Sequence, residues 1–211
     1  MHEQSNTRTL VLYALFIALI FLLGLTPEIG FIYLPIAAIT TVHIPVIVGG
    51  FQLGPKGGAL FGFFFGLVSF IACFTMPDAT SAIILGTGTG FGVYNLVLIL
   101  AILFLPRILA GLFAALTYRA LAAAGKDMLG MGAAALVGTA TNTVLFLGGL
   151  YLLAFEQTAR VMGVAGKGAA ALLQALLGIV ALNGVLEAVV AVILCCAAGK
   201  ALQAVTKSRR G

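Results

Sequence analysis

Four polar side chains interrupt stretches of this chain that are otherwise apolar: Arg107 in "FLPRILAGL", Asn142 in "GTATNTVLF", and Asn183 with Glu187 in "ALNGVLEAVVAVIL". An amide side chain both donates and accepts hydrogen bonds, a carboxylate accepts, and a guanidinium donates in a planar fork. Brought together, such groups can hold a polar solute. Asn183 and Glu187 are four residues apart, which puts them on one face of a helix. Two interior arrangements are open. In one, Glu187 and Arg107 form an ion pair that locks two helices while the asparagines bridge backbones. In the other, the four side chains make the polar wall of a solute pocket.

What must position them follows from composition. Of 211 residues, 62% are hydrophobic and only 8% are charged, and the mean hydropathy is +1.21. A chain of this kind cannot cover a soluble globule with polar surface, so it is read as an all-α integral membrane protein in contact with the lipid bilayer. Its length suits six spans of about 20 residues each with connections. One transmembrane domain over residues 1–211 is expected, with helices at about 9–25, 43–53, 58–74, 94–122, 131–154 and 170–202. The apolar run after "MHEQSNTRTL" lacks a small-residue cleavage site and reads as a retained first helix. "IGFIYLPIAAITTV", broken by Pro35, reads as a loop dipping into the membrane, and "GPKGG" as a turn that sends the chain back.

Basic residues set the orientation. With both termini inside, Arg8, Lys56, Arg119, Lys126, Lys200, Lys207, Arg209 and Arg210 face the cytoplasm, against Arg160 and Lys167 outside. The positive-inside rule therefore expects cytoplasmic termini and loops 1, 3 and 5 on the outer side. This bias accounts for the net charge of +5 without a nucleic-acid partner.

At a rise of about 1.5 Å per residue, Glu187 lies roughly 20 Å and Asn183 roughly 25 Å beyond Lys200, Arg107 roughly 18 Å beyond Arg119, and Asn142 roughly 21 Å beyond Met128. Facing lipid, a charged member would cost about 2.5 kcal/mol or more, so the group must face the interior. Tyr94 and Asn95 at the start of the fourth helix and Tyr151 near the end of the fifth are added to the expected substrate-binding set. Gly58, Gly62 and Gly66 form a small-residue stripe for close helix packing. Ala14 and Ala18 repeat the spacing on the first helix, where the face could meet another subunit.

Several chemistries find no support. A phosphate-binding loop with its lysine does not occur, and "GTGTGFG" at 86–92 shares only the glycines, reading instead as a flexible gate. Ser69 has no nucleophile-elbow frame, and His43 beside Pro45 reads as a hydrogen-bonded structural residue, so no enzyme is expected. Cys73, Cys195 and Cys196 lie in apolar segments without metal or redox spacing and read as small buried hydrophobes. Neither cofactor nor metal is called for.

The ordered set "TTVHIPVIVGGFQLGPKGGALFGFFFGLVSF", "FLPRILAGL", "GTATNTVLFLGGLYL" and "NGVLEAVVAVIL" resembles the substrate-binding components of energy-coupling-factor vitamin transporters, in particular the pantothenate-type members. The resemblance covers nearly the whole chain. It implies a six-helix protein of the bacterial plasma membrane that captures a small-molecule vitamin from outside. It further implies a membrane coupling subunit and two cytoplasmic ATPases as partners. The family's pocket lies near the outer face, between the first and third outer loops and helices 4 to 6, where Asn142, Asn183 and Glu187 fall. Its coupling subunit meets small residues on helix 1, here Ala14 and Ala18. Pantothenate is the expected vitamin; riboflavin, folate or thiamine in the same role, or a self-sufficient secondary transporter, are the alternatives.

Overall fold

A computed structural model describes residues 2–26, 29–33, 38–86 and 92–208. The chain is a multi-pass helical membrane protein: five helical stretches among the described residues are long and apolar enough to cross a bilayer, namely Thr7–Leu25, His43–Thr75, Val93–Ala123, Asp127–Leu153 and Val185–Val205. Helix α1 (His2–Leu25) turns Phe16 and Ile20, four apart, into the bundle and leaves Leu15, Leu19 and Leu22 exposed. Ala14 and Ala18 are on this outward side.

The segment expected to dip into the membrane instead carries a short antiparallel hairpin, β1 (Phe31–Tyr33) on β2 (Ala38–Thr40). Pairing satisfies backbone groups that an irregular loop would leave bare. Pro27, Glu28 and Pro35 lie outside the described residues.

Helix α2 (His43–Thr75) is folded on itself at Gly54, whose φ of 71° and ψ of −169° suit glycine and almost nothing else. A straight helix would hold Val42 and Val68 about 39 Å apart. Both instead meet Gly24, and a Cβ placed on Gly50 would stand 3.5 Å from the Cα of Gly58. The "GPKGG" turn thus reverses the chain. The first arm spans only about 16 Å of rise, short of a roughly 30 Å hydrocarbon core.

After α3 (Ala79–Leu85) and α4 (Val93–Leu98), a π-helical turn at Ile99–Phe104 leads into α5 (Leu105–Ala123). Pro106 explains it. Proline has no N–H to offer the carbonyl of Ile102, and the Leu105 N–H reaches back five residues to Leu100. Then come α6 (Asp127–Leu153), α7 (Phe155–Val161), α8 (Ala169–Ile179), a second π turn at Val180–Gly184, and α9 (Val185–Ser208). Of "GTGTGFG", positions 87–91 lie outside the described residues.

The glycine stripe does the packing. Gly58 lies against the carbonyl of Gly111, and Gly62 against that of Arg107, so the second arm of α2 meets α5 backbone to backbone. Phe61, Phe65 and Val68 on α2, Ala114 on α5, Ala134 and Ala135 on α6, and Ala191 and Cys195 on α9 form one buried cluster. The same helices contribute Ser69, Arg107, Asn142 and Glu187 to the wall of a cavity, with Thr40, Asp78 and Thr158 brought in from the connections between them.

Candidate functional site

The cavity measures about 270 Å³, close to the lower end of small-molecule pockets at about 300 Å³. Both π turns border it: the first delivers Leu103 and places Arg107 one turn on, and the second delivers Val180, Asn183 and Gly184. A π turn widens the helix and re-aims the residues after it. Asn183 and Glu187 reach the wall together, as their spacing requires.

Arg107 is 7% exposed, and its Nη1 donates to the Ile102 carbonyl at 2.5 Å, the acceptor that Pro106 leaves free. Its guanidinium lies 4.6 Å from the centre of the Phe146 ring and 5.4 Å from that of Phe65. Ring faces favour a cation at such distances and exclude water from it. Its Nε has no hydrogen-bond partner among the described residues.

Glu187, also 7% exposed, accepts at Oε1 from the backbone N–H of Thr40 at 2.6 Å. Of the two arrangements left open, the Glu187–Arg107 ion pair is not formed among the described residues: Glu187 accepts from a main-chain N–H on the hairpin, and Arg107 donates to a main-chain carbonyl in the first π turn. Glu187 ties the end of β2 to α9, a contact spanning 147 residues of sequence. Glu187→Gln keeps an acceptor oxygen and is expected to leave thermal stability close to wild type. Glu187→Ala strands the Thr40 N–H and is expected to cost about 1–3 kcal/mol. Thermal unfolding in detergent, with amide exchange at Thr40, measures both; equal losses for the two variants would remove this hydrogen bond from the explanation.

Asn142 completes the polar wall from α6, buried with its Oδ1 unpartnered among the described residues. So Arg107, Asn142, Asn183 and Glu187 do come together. Tyr94, Asn95 and Tyr151 do not line the cavity. The Tyr94 hydroxyl donates to the Leu153 carbonyl; Asn95 accepts from the Gly92 N–H at 3.0 Å and donates to the Ile84 carbonyl at 2.9 Å; Tyr151 stands edge-on to Phe155. Polar groups at helix ends are consumed by helix ends, which leave backbone groups to satisfy. His43 is buried at the start of α2, as a structural residue would be.

Thr40, Ser69, Asp78, Thr143 and Phe146 belong to the wall without having been named among the expected substrate-binding residues. Phe146 had a signal, standing four residues after Asn142 on the same face. Asp78 had another. "DATS" reads as a cap, and Asp78 accepts from the Ser81 N–H and hydroxyl, both at 2.9 Å, at the start of α3. The three cysteines are free, with Cys73 on the cavity wall. Among the described residues no group of three or more His, Cys, Asp or Glu side chains could hold a metal. The arrangement can bind: it offers one guanidinium, two amides and an apolar lining of Phe146, Leu147, Leu150 and Leu176.

Residues 8–198 match the family described as ECF transporter, substrate-specific component. The chain is 33% identical over 217 residues, covering 98% of both sequences, to the pantothenic acid transporter PanT of Lactococcus lactis subsp. cremoris. It is 26% identical to the pantothenate transporter PanT of Leuconostoc mesenteroides subsp. mesenteroides, covering 95% of this chain and 94% of that one.

Proposed function

Because the chain belongs to the substrate-specific components of ECF transporters, we propose that it captures pantothenate at the outer face of a bacterial plasma membrane. It then delivers the vitamin through a membrane coupling subunit driven by two cytoplasmic ATPases. The names of both relatives support this choice of vitamin. One observation carries it: a buried guanidinium, the one cation among the described wall residues and hydrogen-bonded to a main-chain carbonyl, stands in the cavity beside the amides of Asn142 and Asn183. Pantothenate is an anion with two hydroxyls and an amide. Arg107 suits the anion, and Asn142 and Asn183 suit the hydroxyls and amide, since each amide side chain offers both donors and acceptors.

Six spans are proposed, the two arms of α2 counting separately, with the chain as one transmembrane unit. Arg160 and Lys167 are near the cavity end, while Lys56, Lys126 and Lys200 are near the opposite one. The positive-inside rule then turns the cavity outward and both termini inward. On a background lacking the native cysteines, a cysteine at Gln157 is expected to react with an impermeant thiol reagent from outside, and one at Lys126 to stay protected. The reverse labelling would invert the protein and deny the cavity its external solute. Ala14 and Ala18, exposed on α1, are proposed to take the coupling subunit, because small residues admit a second helix closely.

The purified chain is expected to bind pantothenate in calorimetric titration and to ignore riboflavin, folate and thiamine. In liposomes it is expected to accumulate pantothenate only when the coupling subunit, ATPases and ATP are present. Uptake by the chain alone along an ion gradient would establish a secondary transporter instead.

A further inference from the structure

Ser69 is a hydroxyl with nothing to do. It is 6% exposed and lines the cavity, and its Oγ has no hydrogen-bond partner among the described residues. Serine and threonine on helices ordinarily donate to the carbonyl four residues back. Thr75 on this same helix does so to Ile71 at 3.2 Å, and Thr26 to Leu22 at 2.5 Å. Ser69 does not, although that local bond costs a helix little and bilayer interiors supply no water to replace it.

Its neighbours are the cation's neighbours. Phe65, one turn before Ser69 on α2, faces the Arg107 guanidinium, and Gly62 and Gly66 press this part of α2 onto the Leu103–Ile108 backbone. Arg107 Nε is unpartnered on the same wall. The two carboxylates of the wall are already engaged, Glu187 by the Thr40 N–H and Asp78 by Ser81. An anion entering the cavity is repelled by both, and the guanidinium is the one cation among the described wall residues.

We propose that Ser69 and Arg107 together form the carboxylate end of the cavity, the Ser69 hydroxyl donating to one oxygen of the bound anion, and that Ser69 thereby selects an acid over its neutral analogues. The hydroxyl needs only to turn about one torsion to do so. This rests on the reading of the cavity as the pantothenate site and deepens it.

The test is calorimetric titration of the full-length protein in detergent with pantothenate and with the alcohol analogue in which a hydroxymethyl group replaces the carboxylate. Thr139→Val serves as control, since the Thr139 hydroxyl is equally buried and unpartnered but does not line the cavity. Ser69→Ala is expected to weaken pantothenate about tenfold, as befits one hydrogen bond to a charged group, while affinity for the alcohol stays at wild type. Because no partner is lost in the empty protein, its melting temperature should hold or rise. Thr139→Val should move neither affinity. Wild-type pantothenate affinity in Ser69→Ala, or equal weakening of acid and alcohol, overturns the proposal alone. Failure of the wild type to bind pantothenate at any concentration overturns the vitamin assignment, and this inference with it.

Discussion

Gly62→Val is expected to prevent the bundle from assembling, with a loss of at least about 3 kcal/mol, at or beyond the upper range of overpacking. A Cβ at this position would stand 2.2 Å from the carbonyl oxygen of Arg107 and 2.7 Å from both its carbonyl carbon and the Cα of Ile108. All three are backbone atoms of α5, so no side chain can swing aside. Relief requires α2 and α5 to separate along their length, which would also uncouple Gly58 from Gly111. Gly148 provides the contrast, since a Cβ there meets nothing within 4 Å. Gly148→Val should leave the melting temperature and the monodisperse elution profile close to wild type, whereas Gly62→Val should lose both. A Gly62→Val protein that melts within a few degrees of wild type would show that the two helices do not touch here.

The second large effect belongs to Arg107, and it falls on binding. Were this guanidinium paired with Glu187, its removal would leave a carboxylate uncompensated in the bilayer and unfold the protein. The structure gives Glu187 the Thr40 N–H instead. Arg107→Met therefore keeps an apolar stem between Phe65 and Phe146, frees only the Ile102 carbonyl, and should fold. Pantothenate affinity should fall by about 2–5 kcal/mol, the range for truncating one partner of a buried charged contact. Arg107→Lys retains the charge without the planar fork and should lie between the two. Calorimetry with parallel thermal unfolding separates the cases: full affinity in Arg107→Met would put the carboxylate elsewhere, and unfolding of that variant would restore the ion pair.

The membrane class, the helical stretches and the inward demand on Arg107, Asn142, Asn183 and Glu187 were all legible in sequence, because each follows from local properties. Hydropathy over a window measures the cost of transfer into lipid, and spacing on a helix fixes the face. The glycine stripe was legible for the same reason, since missing side chains announce a close approach before the partner is known. The kinship of the ordered segments was legible too, and residues 8–198 match that family. By contrast, Tyr94, Asn95 and Tyr151 could not be told from pocket residues. A polar group near a helix end serves a cap or a cavity according to how the ends meet, as the Asn95 bonds to Gly92 and Ile84 illustrate.

The partners of the buried charges were decided only by the tertiary structure. Sequence placed Glu187 and Arg107 at one depth, and equal depth made an ion pair plausible. Which group a buried charge takes depends on what else is unpaired nearby. Here Pro106 withholds an N–H from Ile102, so the guanidinium finds a carbonyl within its own helix, while the paired hairpin carries the Thr40 N–H to Glu187 across 147 residues. Ser69 was hidden for the same cause: its type and spacing match a helix hydroxyl satisfied by its own backbone, and only the cavity beside it marks it as free. Hydrophobicity and periodicity are sums over neighbours in the chain, whereas hydrogen-bond choice is a competition among neighbours in space, and only the packed bundle sets the competitors.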